Sequence, residues 1–249
     1  MKPNLSNLAA ICFLSTLATV ALAQSPPTTV IPLKEAKLNI EHNFTDRDTG
    51  FQGAVDSEGW KELTFTGPDG AVLEFEASGK LRNLGLTELF FETVEPKNAD
   101  VPIQNMLSRL PAGRYEISGP ATGGAPGDVT RGTALLTHDI PRGPVLLSPP
   151  EGGSVPFANL NMAWTAVSRT IDGRPIKIIA YQLIVEQDKP PHPHMIGKLG
   201  ALSMYLPPTA TRVTVPKEFL APRTDYKWEV LAIEPSGNQT LSSGSFATR

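Results

Sequence analysis

The sequence predicts an all-β chain built as two β-sandwich domains, and three observations carry that expectation. Proline accounts for 24 and glycine for 21 of the 249 residues. Proline at about twice its usual ~5% share disfavours long helices, because the ring removes a backbone donor and clashes with the preceding turn. Short runs of alternating apolar and polar residues recur between turn signals such as Gly67-Pro68-Asp69-Gly70 and Pro111-Ala112-Gly113, as in sandwich strands. Charge divides unevenly: residues 24–141 carry 17 acids and 10 bases, and residues 142–249 carry 8 acids and 11 bases. A hydrophobic content of 40% suffices for real cores, and a total net charge of −3 leaves nothing to drive nucleic-acid binding.

Residues 1–23 read as an export signal. Lys2 supplies a positive start, residues 8–20 are apolar apart from Ser15, Thr16 and Thr19, and Ala21-Leu22-Ala23 is a small-x-small cleavage pattern. The apolar run falls short of the ~20 residues of a membrane span. Ile11 precedes Cys12 where a lipoprotein signal wants a small residue. Cys12 is the only cysteine, so the mature chain is expected to have no disulfide and no thiolate chemistry. No second long apolar run follows, so no transmembrane segment is expected in the mature chain, and its expected location is periplasmic or secreted.

Residues 24–35 are expected to form a flexible leader and residues 36–141 the first domain. Strands are expected at residues 36–43, 60–66, 71–77, 87–94, 114–118 and 133–138. Residues 102–110 instead place Ile103, Met106, Leu107 and Leu110 at helical spacing behind Pro102, which predicts one short helix. Residues 119–132 read as a flexible loop, and Pro141-Arg142-Gly143-Pro144 as the boundary before a second domain at 142–249. The opposite charge of the two halves would favour docking between them.

The second half resembles a fibronectin type III domain. Pro144, Leu147, Pro149 and Pro150 look like its proline-punctuated first strand, Asn161-Met162-Ala163-Trp164 like the second strand with its core tryptophan, and residues 178–186 and 211–216 like later strands. Leu220-Ala221-Pro222-Arg223-Thr224-Asp225-Tyr226 is similar to the family's tyrosine corner. The resemblance implies structural roles for Trp164, Tyr226 and Trp228, and a tyrosine hydroxyl bonded to nearby backbone. The whole chain is also similar to uncharacterised bacterial exported two-domain proteins with a C-terminal fibronectin type III domain, through phrases such as Leu135-Leu136-Thr137-His138-Asp139-Ile140-Pro141; that resemblance implies architecture, not chemistry. Leu110-Pro111-Ala112-Gly113-Arg114-Tyr115 resembles a hairpin of transthyretin-like accessory sandwiches.

Two segments are candidate metal sites. Asp46 and Asp48 lie on a glycine-bearing turn with Asp56 downstream; calcium wants six to eight oxygens, and closely spaced carboxylates supply several. The alternative is a solvated turn whose carboxylates bond their own backbone. His192 and His194, with Met195 beside them, could take copper or zinc, although two imidazoles are too few alone. No nucleophile elbow, zinc-protease helix or phosphate-binding loop is present, so a non-catalytic protein is expected, with a hydrolase lacking a recognisable motif as the alternative. No cofactor is expected beyond a structural calcium. Phe51, Trp60, Phe90 and Phe91 are the aromatics to watch for sugar or protein binding. Asn43-Phe44-Thr45 and Asn238-Gln239-Thr240 match glycosylation acceptors. The leading expectation is binding or scaffolding through a protein or glycan of the cell envelope; the alternative is a carbohydrate-binding accessory module.

Overall fold

A computed structural model of the chain describes residues 28–158, 160–192 and 201–249. The export signal and His194 lie outside the described residues. Among the described residues no helix is long and apolar enough to cross a membrane.

The first half contains β1 (Val30–Pro32), β2 (Glu35–Asn43), β3 (Asp48–Trp60), β4 (Glu62–Gly67), β5 (Gly70–Glu76), β6 (Leu86–Glu92), α1 (Ile103–Leu107), β7 (Gly113–Pro120) and β8 (Val129–Leu136). One sheet runs β1-β8-β7-β4-β5, and β2, β3 and β6 lie side by side in a second. The period-two alternation of each strand sends Leu38, Ile40, Phe51 and Val55 from one sheet against Leu63, Phe65, Tyr115, Ile117 and Leu136 from the other. Helix α1 starts at Pro102 and buries Met106 against this core. The Tyr115 hydroxyl donates to the Pro111 carbonyl at 2.8 Å, tying down the Leu110–Tyr115 hairpin.

Three sequence expectations change here. Residues 48–60 form the longest described strand, where the sequence suggests only an acidic turn. Two of its three glycines are spaces for neighbours: a Cβ on Gly53 would lie 2.3 Å from the Phe91 ring, and one on Gly50 would lie 2.7 Å from Glu95 Cγ. The leader is ordered from Val30, because β1 pairs in parallel with β8 and the Asp128 carboxylate accepts from the backbone N–H of Thr29 and Ala125. For the same reason the loop expected at 119–132 gives up its last residues to β8.

The second half contains β9 (Leu146–Ser148), β10 (Gly153–Val155), β11 (Asn161–Trp164), β12 (Ala180–Gln187), β13 (Leu202–Leu206), β14 (Arg212–Thr214), β15 (Asp225–Ile233) and β16 (Gln239–Thr248). The sheet β14-β11-β9 faces β13-β12-β15-β16, the three-on-four sandwich of a fibronectin type III domain. Trp164, Tyr181, Tyr226 and Trp228 are fully buried between the sheets. The Ala221 N–H donates to the Tyr226 hydroxyl at 2.7 Å, which is the tyrosine corner, and Tyr226 stacks on Phe246 with ring centroids 5.2 Å apart.

The two cores share one sheet. Strand β16 pairs in parallel with β2, so a continuous ladder runs β13-β12-β15-β16-β2-β3-β6. At its seam sits Asn238, with 0% exposure. Its carbonyl oxygen accepts from the Ile40 N–H at 2.8 Å. Its amide donates toward Thr137 O, Thr137 Oγ1 and Asp139 O at 3.0, 2.9 and 3.2 Å. The buried Glu234 carboxylate holds the turn before it, accepting from the Ser236 and Asn238 N–H groups. Thr240 Oγ1 donates to Pro141 O at 2.6 Å. Among the described residues a single ion pair, Arg174–Asp139 at 2.7 Å, crosses the seam, and both partners are about half exposed. Exposed pairs contribute little. Main-chain pairing and buried neutral hydrogen bonds, not the opposite net charges, join the halves.

Candidate functional site

The shared sheet turns one face away from both cores, and that face is acidic where the halves meet. Cross-strand register places Glu229 opposite Ser243, Gln239 opposite Glu41, and Gln52 opposite both Asn39 and Glu92. Because Gly50 has no side chain, Glu95 lies over β3 there. Carboxylate oxygens of Glu41, Glu92 and Glu95 come within 4.8 Å of one another. Gln239 donates from its amide to Glu41 and, at 3.1 Å, to Gln52 Oε1. Glu95 Oε1 is enclosed and meets no hydrogen-bond donor among the described residues. Burial first, then the charges of Glu41 and Glu92, push Glu95 up to about 7. Burial and the charge of Glu41 push Glu229 up to about 7. Carboxylates this close cannot all ionise without cost, so Glu95 and Glu229 hold their protons well above the ordinary glutamate range.

A stability consequence follows. Each glutamate titrates near 4.5 when unfolded and near 7 when folded, so the folded chain binds more protons between those values. Their contribution is full below pH 4.5 and is lost as pH rises through 7. Buried His42, whose pKa is lowered by burial, works in the opposite direction, so a glutamate variant isolates the effect. Glu95→Gln is expected to gain about 1 kcal/mol over the parent at pH 8, after discounting for the exposed half of the side chain, and nothing at pH 4. Urea unfolding at both pH values checks this; an equal difference at the two would contradict it.

The residues singled out in the sequence are not gathered into one site. Asn43 and Asp46 bond each other, the Asp46 N–H donating to Asn43 Oδ1 at 2.9 Å. The Lys97 ammonium stands between the two turn carboxylates, 3.1 Å from Asp48 Oδ2 and 3.6 Å from Asp46 Oδ1. Asp56 lies eight residues further along β3, about 26 Å away at the rise of a strand. A calcium ion at Asp46 and Asp48 would have to displace Lys97 and could not draw on Asp56. Of the acids that do converge, Glu41 lies some fifty residues from Glu92 and Glu95; only the strand register brings it to them. His192 is exposed, and its expected partner His194 falls outside the described residues. Of the aromatics, Phe51 and Trp60 are buried and Phe91 packs on the core, while Phe90 points to the opposite face. Phe90 and Tyr205 share a face but stand six strands apart, about 29 Å, so they form no aromatic platform. Enclosed Asn238 cannot serve as a glycosylation acceptor once the chain has folded.

The sheet edges differ in protection. Outer strands β5 and β6 carry Glu74, Glu76, Glu88 and Glu92, β1 carries Pro32, β14 carries Arg212, and three-residue β9 stops at Pro149. Strand β13, Leu-Ser-Met-Tyr-Leu, has no charge and no proline and pairs with β12 in unbroken register. Its Tyr205 side chain is 70% exposed.

No protein-family model matches the chain, and no curated protein matches it in sequence. Solved structures similar to it include the FN1–FN3 domains of chicken CNTN1, at 12% identity and TM-score 0.35 over 90% of this chain and 69% of that one. A run of domains from titin matches at 16% identity and TM-score 0.26 over 87% of this chain and 65% of that one. The human OSCAR ligand-binding domain matches at 13% identity and TM-score 0.27 over 83% of this chain and 95% of that one. Likeness at this level says nothing about function; the strand order itself identifies the chain as all-β, with a fibronectin type III sandwich in its second half.

Proposed function

We propose that this chain is an exported, non-catalytic binding or scaffolding protein. In this reading its domains, residues 36–141 and 142–249, act as one platform and engage a protein of the cell envelope by strand addition at β13. The observation that carries the reading is the outer edge of β13, which no strand, charge or proline protects among the described residues. An open strand presents a row of main-chain donors and acceptors to another chain, and strand addition is a standard mode of protein recognition. Tyr205 adds an exposed aromatic contact, of the residue type enriched at interfaces. Export is supported by the signal pattern of residues 1–23 and by the absence of cysteine from residues 24–249.

A photo-crosslinking residue at position 205 tests this in cells of the native host. The expected result is a discrete crosslinked envelope protein, lost when Ser203→Lys is added to charge the edge and absent when the crosslinker is moved to exposed Lys177. Equal crosslinking at positions 205 and 177, or none at 205, would contradict the reading.

A further inference from the structure

The two sheets of the first sandwich do not close at the β5–β6 side. Between them lies a cavity of about 570 Å³, inside the ~300–1,000 Å³ range of small-molecule sites. Phe65 and Phe91, edge to face at 5.6 Å, form its inner wall. Leu73 comes from the edge strand, Met106 from α1, and Val94 and Arg109 stand at the mouth. Val94 is 87% exposed, so the mouth opens to solvent. Arg109 is the one charged residue lining the cavity. Its guanidinium makes no ion pair or side-chain hydrogen bond among the described residues, although this half of the chain carries 17 acids against 10 bases. A cavity walled by apolar side chains, with the Arg109 guanidinium at its rim, complements a chain-like apolar ligand that ends in an anion.

We infer that this cavity binds an anionic amphiphile, an acyl chain seated between the sheets with its acidic headgroup on Arg109. The site lies in the first sandwich and does not involve β13, so it stands or falls independently of the strand-addition reading. The chain would lie along the half-buried Phe91, Leu73 and Val72, where burial of methylene groups drives association. The guanidinium offers paired donors in a fixed fork that matches a carboxylate or phosphate. Such a ligand could come as a free fatty acid or as the acyl chain of an acidic lipid.

Titration of the full mature chain with laurate below its micelle concentration and with dodecanol below its solubility limit, followed by calorimetry, tests the inference. Laurate is expected to bind at one equivalent and about tenfold more tightly than dodecanol. Arg109→Gln is expected to remove that preference while leaving dodecanol unchanged. Val94→Trp, which plugs an exposed rim position without touching the core, is expected to weaken both. Flotation with phosphatidylglycerol vesicles separates the sources: capture that Val94→Trp abolishes identifies a lipid acyl chain, and laurate binding without capture identifies the free acid. No laurate binding at millimolar concentration, or laurate affinity unchanged by both variants, would overturn the site. Equal affinity for laurate and dodecanol would overturn the anionic class of ligand.

Discussion

Asn238→Ala is expected to lower the stability of the whole chain by about 3 kcal/mol, although it removes no apolar contact. The reason is the number of groups that depend on one enclosed side chain. The variant strands the Ile40 N–H and the Thr137 and Asp139 carbonyls. Each buried polar group left without a partner costs about 1–3 kcal/mol, offset in part where water enters the space. Asn238→Asp keeps the shape but places a carboxylate oxygen where the amide donated, against two carbonyl oxygens. It is therefore expected to be worse than alanine, the reverse of the order that size alone would give. Urea unfolding of the three proteins at pH 7 measures both differences; a loss below about 1 kcal/mol for Asn238→Ala, or an aspartate variant as stable as the parent, would contradict this role.

Gly119→Ala is expected to be as damaging through a different cause. An added Cβ would lie 1.9 Å from the Glu62 carbonyl oxygen and 3.4 Å from Leu63 Cα. Both are main-chain atoms, so no side chain can rotate away. Strands β4 and β7 pair just beyond this point, with Thr64 opposite Ser118 and Phe65 opposite Ile117. Relief requires the strands to part, which would pull Phe65 and Ile117, both with 0% exposure, out of register. A cost of about 3 kcal/mol or more is expected, at the upper end of overpacking effects. Gly70→Ala is the control for backbone preference: its φ of 109° is strained for alanine, yet nothing lies within 4 Å of the new atom. It is expected to cost about 1 kcal/mol. Thermal unfolding that ranks Gly70→Ala as the more harmful would overturn the steric account.

What could be read from the sequence follows a physical line. The second sandwich was legible because its signals are local: Trp164 in a four-residue strand, and a leucine, a proline and a tyrosine at fixed offsets whose hydroxyl bonds five residues back to Ala221. The short helix was legible from Pro102 and the spacing of Met106. Strand β3 was not, because its glycines and acids are turn-formers by local propensity. They are tolerated only because Phe91 and Glu95, some forty residues away, occupy the space over Gly53 and Gly50. The acid cluster was hidden for the same reason. Glu41 meets Glu92 and Glu95 through the pairing of β2, β3 and β6, whereas Asp56, close in sequence to Asp46 and Asp48, is carried away from them by the 3.3 Å rise of a strand. The joining of the halves was the least legible feature, since a parallel pairing between residues 198 positions apart leaves no local trace.

Pairing of β2 with β16 makes the two sandwiches one platform. Two amides report on it directly: the Phe44 N–H, which donates to the Leu241 carbonyl at 2.9 Å, and the Ile40 N–H, held by Asn238 at 2.8 Å. Native-state hydrogen exchange by NMR measures the free energy needed to open each. Both are expected to exchange as slowly as the Trp228 and Val230 amides in the core of the second sandwich. Fast exchange at Phe44 and Ile40, with those core amides still protected, would mean that the halves part freely and would contradict a single platform.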